Sequence, residues 1–450
     1  MKQVGVPAAF SIRRVMSKSI LLLMLCIGPI ASVRASGIFL DSSSARSMAL
    51  GGNNTAIASG PLDALAANPS ALSEISHLEL DLGGTAAFAH GEFSNRANHS
   101  STMNSFGAFP QGAVGASYGP FSFGLGLITD AAMRANWRFR DAPGGLGGAT
   151  SYGVRQYESE IRLLRIAFGA SYRITDKLSA GASIGLLYNE NTLIAPYTFQ
   201  TEPVLRSAKT LLDLQTDGHG WNAQFGLTWK PVEKVRLGLS YTTESKVVSE
   251  GRAYADTSVQ LKNVGLGAAR SHTAFDAEVT NKFPQIISGG ISWQIVPKLA
   301  VTGQLDWINW ENSFDTLDVR LRHSNNRDLN GLISANHIDE DIPLNWRDQF
   351  VGRLGLEYLA TDHWTVRAGY SYGRNPVPAE TLNPLTAVIM EHSLSAGAGY
   401  RWKNARVDLA WQWNLPASEN VGTSKLAPEY NNSSTRITAH WFGLTTSLFF

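Results

Sequence analysis

Apolar and polar residues alternate along most of this chain. From about residue 77 onward the dominant period is two. Leu178, Ala180, Ala182, Ile184, Leu186 and Tyr188 alternate with Ser179, Gly181, Ser183 and Gly185. Trp221, Ala223, Phe225, Leu227 and Trp229 alternate with Asn222, Gln224, Gly226 and Thr228. The same rhythm runs through Val235 to Tyr241, Trp364 to Tyr372, and Val407 to Trp413. A period of two marks β-strands with two unlike faces. Soluble sandwich strands are usually about five or six residues long, whereas strands of about ten or more recur here, with aromatic residues at the ends of the apolar face. This is the alternation of lipid-facing and lumen-facing positions with interfacial girdles. A backbone in lipid must pair all its polar groups, so the predicted fold is all-β, a closed transmembrane antiparallel β-barrel.

Turns set the strand count. Short turns fall at Gly119-Pro120, Thr175-Asp176-Lys177, Pro231 to Lys234, Val296-Pro297-Lys298, Thr361-Asp362-His363 and Lys403-Asn404. Each interval between them holds one strand, one long loop and a returning strand, so short turns are predicted periplasmic and long loops extracellular. With 271–295 and 299–323 read as long kinked strands, the count is about fourteen, an even number as such barrels require. The last strand places Phe442, Leu444, Thr446, Leu448 and Phe450 on one face, a pattern resembling the terminal signal read by the barrel-assembly machinery.

The N-terminus breaks the pattern. Lys2, Arg13, Arg14 and Lys18 precede an apolar run from Ser19 to Ala31, and Val33-Arg34-Ala35 offers small residues for cleavage. Residues 1–35 are predicted to be a secretory signal peptide. It would remove Cys26, the only cysteine, leaving neither disulfides nor cysteine metal sites. Composition agrees with a barrel: charged residues are 17%, aromatics 10%, and glycines number 42. A mean hydropathy of −0.10 is too polar for a helical membrane bundle. A net charge of +1 gives no electrostatic basis for binding nucleic acid.

Residues 36–76 lack alternation and are rich in Gly, Ala and Ser. They are too few to build an independent core, yet they carry Ile38, Phe39, Leu40, Leu62 and Leu65. A plug inside the lumen hides these side chains, and residues 77–450 are the predicted barrel.

The chain resembles the FadL/TodX family of outer-membrane transporters of long-chain fatty acids and hydrophobic compounds. The resemblance runs from Gly37-Ile38-Phe39-Leu40 through Arg46 to Gly52 and Asn68-Pro69-Ser70, where the family usually has Asn-Pro-Ala. It continues through Phe123 to Leu127, Ala170-Ser171-Tyr172-Arg173 with Asp176-Lys177, Gly238 to Tyr241, Arg367 to Tyr370, and Asn375-Pro376-Val377-Pro378. It implies a fourteen-stranded barrel, an N-terminal hatch in which Phe39, Asn68, Pro69 and Ser70 take part in gating, and passive diffusion through a gap in the wall. The implied location is the Gram-negative outer membrane. The expected partners are hydrophobic small molecules, membrane lipid and the assembly machinery, for a monomer with no cofactor.

A carrier of apolar molecules needs an outer catch site and an interior pocket. Residues 129–157 are read as one long loop, with Trp137 and Phe139 as candidate contacts. Residues 191–218 are read as another, in which Val204, Leu205, Ala208, Leu211 and Leu212 recur at helical spacing after Pro203. Alternation directs Arg165, Arg236, Asp306, Arg353, Glu357, Arg367 and Asp408 into the lumen. These form either an ion-pair network fixing the hatch or, through Arg165 or Arg367, a carboxylate headgroup site. The ten histidines, His99, His272, His392 and His440 among them, give neither a triad pattern nor metal-ligand spacing. Adjacent pairs such as Ser271 and His272 should point to opposite strand faces. Uptake of hydrophobic molecules, foremost long-chain fatty acids, is the leading function. Transport of aromatic hydrocarbons or alkanes and a general porin are the alternatives, with a barrel enzyme or adhesin behind them.

Overall fold

The computed structural model describes residues 37–450. The predicted signal peptide and Cys26 lie outside the described residues. Six long strands open the wall: β1 (Leu78–Asn95), β2 (Asn98–Tyr118), β3 (Phe121–Arg140), β4 (Val154–Thr175), β5 (Leu178–Thr198) and β6 (Lys209–Val232). Four kinked strands follow, each in two segments. They are β7 (Val235–Thr242) with β8 (Ser245–Asp256), β9 (His272–Phe283) with β10 (Ile286–Val296), β11 (Leu299–Ile308) with β12 (Thr316–Arg322), and β13 (Ile338–Pro343) with β14 (Gln349–Leu359). The wall ends with β15 (Trp364–Gly373), β16 (His392–Arg401), β17 (Ala405–Asn420) and β18 (Ser434–Phe449). Counting each kinked strand once, the wall has fourteen staves. β1 pairs with β18 from Glu79–Phe449 to Ser94–Ser434, which closes the barrel. Closure leaves no sheet edge at this seam for lipid to meet.

The alternation seen in the sequence becomes the two faces of the wall. Ile184, Leu186, Trp221, Phe225, Leu227, Trp229, Leu409, Phe442 and Leu444 are exposed on the outside, where lipid meets them. Ser179, Ser183, Gln224, Thr228, Asp408 and Gln412 are buried on the inside. The six predicted turns all connect strands at one end of the barrel.

Inside lies the hatch. Helix α1 (Ala45–Ala49) starts at Ser44, whose side chain accepts from Ser47 N while Ser47 returns the bond in a capping box. Helix α2 (Pro61–Ala67) starts with Pro at its first turn and is followed by a 3-10 turn, Pro69–Glu74, capped by Asn68. Leu62, Leu65, Leu72 and Ile75 pack on Ala113, Ile128 and Ala167 of the wall. The buried Asp63 carboxylate gathers the hydroxyls of Ser43 (2.6 Å), Ser44 (2.9 Å), Ser47 (3.1 Å) and Ser59 (2.5 Å), which ties α1 to α2. The Asn-Pro-Ser element is stitched to the wall: Asn68 Nδ2 donates to Thr55 O and Leu227 O, and the Ser70 and Thr228 hydroxyls lie 2.7 Å apart. The fit is close enough that a Cβ at Gly226 would strike the Asn68 side chain, and one at Gly369 the Gly51 backbone.

Two readings of local structure need correction. Residues 129–157 are mostly wall: β3 runs to Arg140 and β4 begins at Val154, leaving only 141–153 as loop. The helix expected after Pro203 is absent. Residues 203–207 form a turn and β6 starts at Lys209. Ser207 adopts a positive φ of 67°, which no α-helix accommodates, and its N–H closes the hairpin onto Phe199 O. Leu211 and Leu212 belong to β6, while Leu205 and Ala208 of the turn pack in the same core as Leu212 and Leu214.

Because Ser59 is buried between α1 and α2, Ser59→Cys is expected to label slowly with a bulky periplasmic thiol reagent in a barrel that remains heat-modifiable on a gel. Labelling as fast as that of an unfolded chain would show residues 36–76 to be a free tail.

Candidate functional site

The ladder is interrupted between β2 and β3. β1 and β2 pair along nearly their whole length, but β2 pairs with β3 only from Gly112–Leu127 to Tyr118–Phe121. Beyond Gly112 the two strands part. The cause is local. Pro110 brings no N–H to the ladder, and a bulge between Thr129 and Ala131 shifts β3 relative to β4. At that bulge β3 pairs with the hatch instead: Leu40 N donates to Asp130 O (2.8 Å) and Ala132 N to Ile38 O (3.1 Å). The strands meet again at the outer end, where Asn98 Nδ2 donates to Arg140 O and Arg140 N to Asn98 Oδ1, both at 2.8 Å. Between sill and clasp lies a window in the wall.

Ile38 and Met133, at the inner side of this window, also line a partly open cavity of about 200 Å³. Its walls are the inward faces of strands extended past the bilayer: Leu193, Leu212, Leu214, Val279, Val319 and Leu321, with Phe199, Phe314 and Trp346. Leu385 comes from the loop 374–391, which folds inward and buries Val377, Leu382, Val388, Ile389 and Met390 in the same core as Ile38 and Met48 of the hatch. Such a cavity, apolar with a few polar groups, is the usual form of a small-molecule site.

Two sets of buried charged groups border the cavity. Lys209 Nζ lies 2.6 Å from Asp141 Oδ1 and 2.8 Å from Glu429 Oε1, all three nearly fully buried. Burial pushes the Asp141 carboxyl above its ordinary value, with Lys209 pulling the other way. Tyr430 beside them is pushed far up, by burial first and then by the Asp141 and Glu429 charges, so its hydroxyl stays protonated. Across the cavity the Glu340 carboxylate accepts from Tyr197 OH (2.6 Å) and from the amides of Gln200, Thr201 and Glu202, which pins the 199–208 turn.

Comparison with known proteins gives the same architecture. The family described as outer membrane protein transport protein (OMPP1/FadL/TodX) matches residues 26–450. The chain belongs to this family. It resides in the outer membrane. The long-chain fatty acid transport protein of Salmonella typhi is 21% identical over 310 residues, covering 64% of this chain and 65% of that protein. The Escherichia coli K12 protein of the same description is 21% identical, covering 64% and 66%. Among solved structures, the Pseudomonas putida toluene transporter TodX superposes with a TM-score of 0.70 at 21% identity, covering 92% of this chain and all of that one. A Pseudomonas aeruginosa FadL homologue gives 0.73 at 16%, covering 92% and 99%.

Within this FadL/TodX barrel the predicted site residues divide into three groups. Leu212 alone lines the cavity; Leu205 and Ala208 pack behind it, Leu211 is half-buried, and Val204 is exposed at the turn. Trp137 and Phe139 sit on β3 within the span of the window, just below its clasp, in an aromatic cluster with Phe93 and Tyr157, ring centroids 4.7–6.2 Å apart. Phe39 packs on Trp310, 5.2 Å between centroids. The lumen charges hold the hatch. Arg165 bonds Asp130 and the Leu65 carbonyl. Arg353 bridges Asp306 and Asp41, Arg236 meets Glu74, and Glu357 joins Arg46 to Arg367, which reaches Asp408.

Lys209, Asp141, Glu340, Glu429, Leu214, Val279, Val319 and Trp346 were missed by sequence reasoning. Continuing the period of two past the bilayer through Leu212 and Leu214 would have found part of this set. Ser271 lies just before β9 rather than within it, so its hydroxyl reaches His272 Nδ1 at 3.1 Å. His272 is exposed and stands 3.7 Å from Asp256, too far for the hydrogen bond that orients a triad. Among the described residues no group of His, Cys, Asp or Glu gathers as a metal site.

Arg353→Met leaves the Asp41 and Asp306 carboxylates buried without their common partner. Removing one side of such a pair costs about 3–5 kcal/mol. In the Ser59→Cys background, thiol labelling is expected to speed up while the closed wall keeps its heat-modifiability. Unchanged labelling would show that this bridge does not hold the hatch.

Proposed function

We propose that the protein carries small hydrophobic molecules passively inward: they enter from the extracellular side, rest in the cavity, and leave sideways through the window between β2 and β3. The observation that supports this most directly is the apolar cavity ending at Ile38 and Met133, beside the stretch of wall where the ladder is unmade. An apolar molecule gains by moving from that cavity into lipid without crossing water. The hatch and the inward loop 374–391 fill the lumen, which does not suit a general porin. The family resemblance and the descriptions of its relatives as fatty acid and toluene transporters point to the same class of cargo.

Uptake of radiolabelled oleate and toluene by cells with and without the protein tests the reading. Leu212→Asp places a carboxylate in the cavity wall. Losing a leucine contact worth about 1.5–3 kcal/mol should lower uptake at limiting substrate at least about tenfold. Ser105→Trp, on the inward face of β2 beside the window, should slow uptake while leaving binding in the cavity intact. Both variants are expected to stay heat-modifiable. Wild-type uptake by both would remove cavity and window from the route.

A further inference from the structure

We propose that the cargo is an uncharged amphiphile whose polar end donates a hydrogen bond, such as a hydroxyl, and that Lys209, Asp141 and Glu429 make the cavity discriminate against carboxylates. This rests on the transport reading above and names its substrate class.

The first observation is that the cavity's cation is spoken for. An ammonium has three N–H donors. Those of Lys209 meet Asp141 Oδ1 (2.6 Å), Ala142 O (2.9 Å) and Glu429 Oε1 (2.8 Å). The other charges lining the cavity are acidic. Glu340 is saturated by donors from the 200–202 backbone and Tyr197, and Glu160 is paired with Arg134 and Arg162, which also hold Glu158 and Glu190. Arg134 Nε and Arg162 Nε lack hydrogen-bond partners, but both guanidiniums stand behind Glu160 outside the lining, so a carboxylate meets carboxylates and, among the described lining residues, no cation with a donor left over. Burying an ion in that setting is strongly unfavourable.

The second observation is where hydrogen-bonding capacity remains. Glu429 Oε2 is buried in the cavity lining without a partner among the described residues. It is an acceptor, and a hydroxyl can satisfy it. At the sill of the window, one residue outward of Gly112, Gln111 is fully buried with both side-chain oxygen and nitrogen unpartnered, as is the Thr129 hydroxyl on β3. Buried polar groups are seldom left so. An amide and a hydroxyl can exchange hydrogen bonds with a passing alcohol, but neither neutralises a carboxylate. The lumen arginines are committed elsewhere: Arg165, Arg353 and Arg367 each close on an aspartate or glutamate that fixes the hatch or wall. The unpartnered polar atoms of cavity and sill thus belong to an anion, an amide and a hydroxyl.

Equilibrium binding of radiolabelled 1-decanol and decanoate to the purified barrel tests this. At about pH 8, where a carboxylic acid is ionised, decanol should bind at least about tenfold more tightly. Glu429→Gln removes one negative charge and relaxes the hold on Lys209, so decanoate should gain affinity and the ratio should shrink, with heat-modifiability confirming the fold. A measurement on the unaltered protein stands beside it: at about pH 3 the acid is neutral and should bind as the alcohol does. Decanoate binding as tightly as decanol at the higher pH overturns the inference and leaves the transport reading standing. Saturable binding of neither probe overturns both.

Discussion

Lipid offers a backbone no hydrogen bonds, and each unmet amide or carbonyl there costs several kcal/mol. That constraint closes β1 onto β18 over the full height of the wall, and it governs how the wall can be opened. A simple gap between β2 and β3 would expose two rows of polar backbone. Instead β3 bulges at Asp130, and the hatch segment at Ile38–Leu40 supplies the missing partners on its inner side. The Asn98–Arg140 clasp ends the window above, and Pro110, which has no N–H to leave unpaired, stands near its sill. The hatch is therefore a piece of the wall's hydrogen bonding as well as a stopper, and the opening exists because a segment from elsewhere in the chain completes it.

Holding that segment in register falls to charge. Buried ion pairs are weak net stabilisers compared with apolar packing, but losing one partner is costly, so a pair fixes a position more than it deepens the fold. Here the pairs join hatch to wall or brace the wall beside it: Arg46 to Glu357, Arg353 to Asp41, Arg165 to the Leu65 carbonyl. Packing supplies the rest. Phe39 lies on Trp310, and the inward loop 374–391 shares one apolar core with Ile38 and Met48. An outer loop and the hatch thus meet in the same cluster that floors the cavity.

The barrel itself was legible because lipid imposes a period of two on every strand it touches. The turns at 119–120, 176–177 and 297–298, the count of about fourteen staves, the kinks within 271–295 and 299–323, and the plug were readable from that rule and its interruption before residue 77; the kinks between β7 and β8 and between β13 and β14 were not. The catch-site helix was not there to be read. Val204, Leu205, Ala208, Leu211 and Leu212 happen to satisfy a helical spacing, but Ser207 needs a positive φ and the residues after it belong to β6. Lys209 gave no local signal because its partners, Asp141 and Glu429, are remote in sequence. Arg165 and Arg367 were placed in the lumen correctly, but whether they grip a ligand or the hatch depends on Leu65, Asp408 and other partners that no local pattern reveals.

The same inward face explains why the cavity sits where it does. Along β5 it begins Ser179, Gly181, Ser183 and Gly185, then becomes Leu187 and, further out, Leu193, Ala195 and Tyr197. Along β6, running the other way, Leu212 and Leu214 precede Asn222, Gln224, Gly226 and Thr228. The small half leaves room for a hatch backbone to approach the wall, as Asn68 does at Gly226. The large half, with the inward loop 374–391, lines the apolar cavity instead. Side-chain size along one strand face therefore separates a lower lumen packed with the hatch from an upper lumen that keeps an apolar cavity. The window opens at their boundary, where Ile38 of the hatch meets β3, so the interrupted β2–β3 ladder and the inner end of the cavity share one hatch residue.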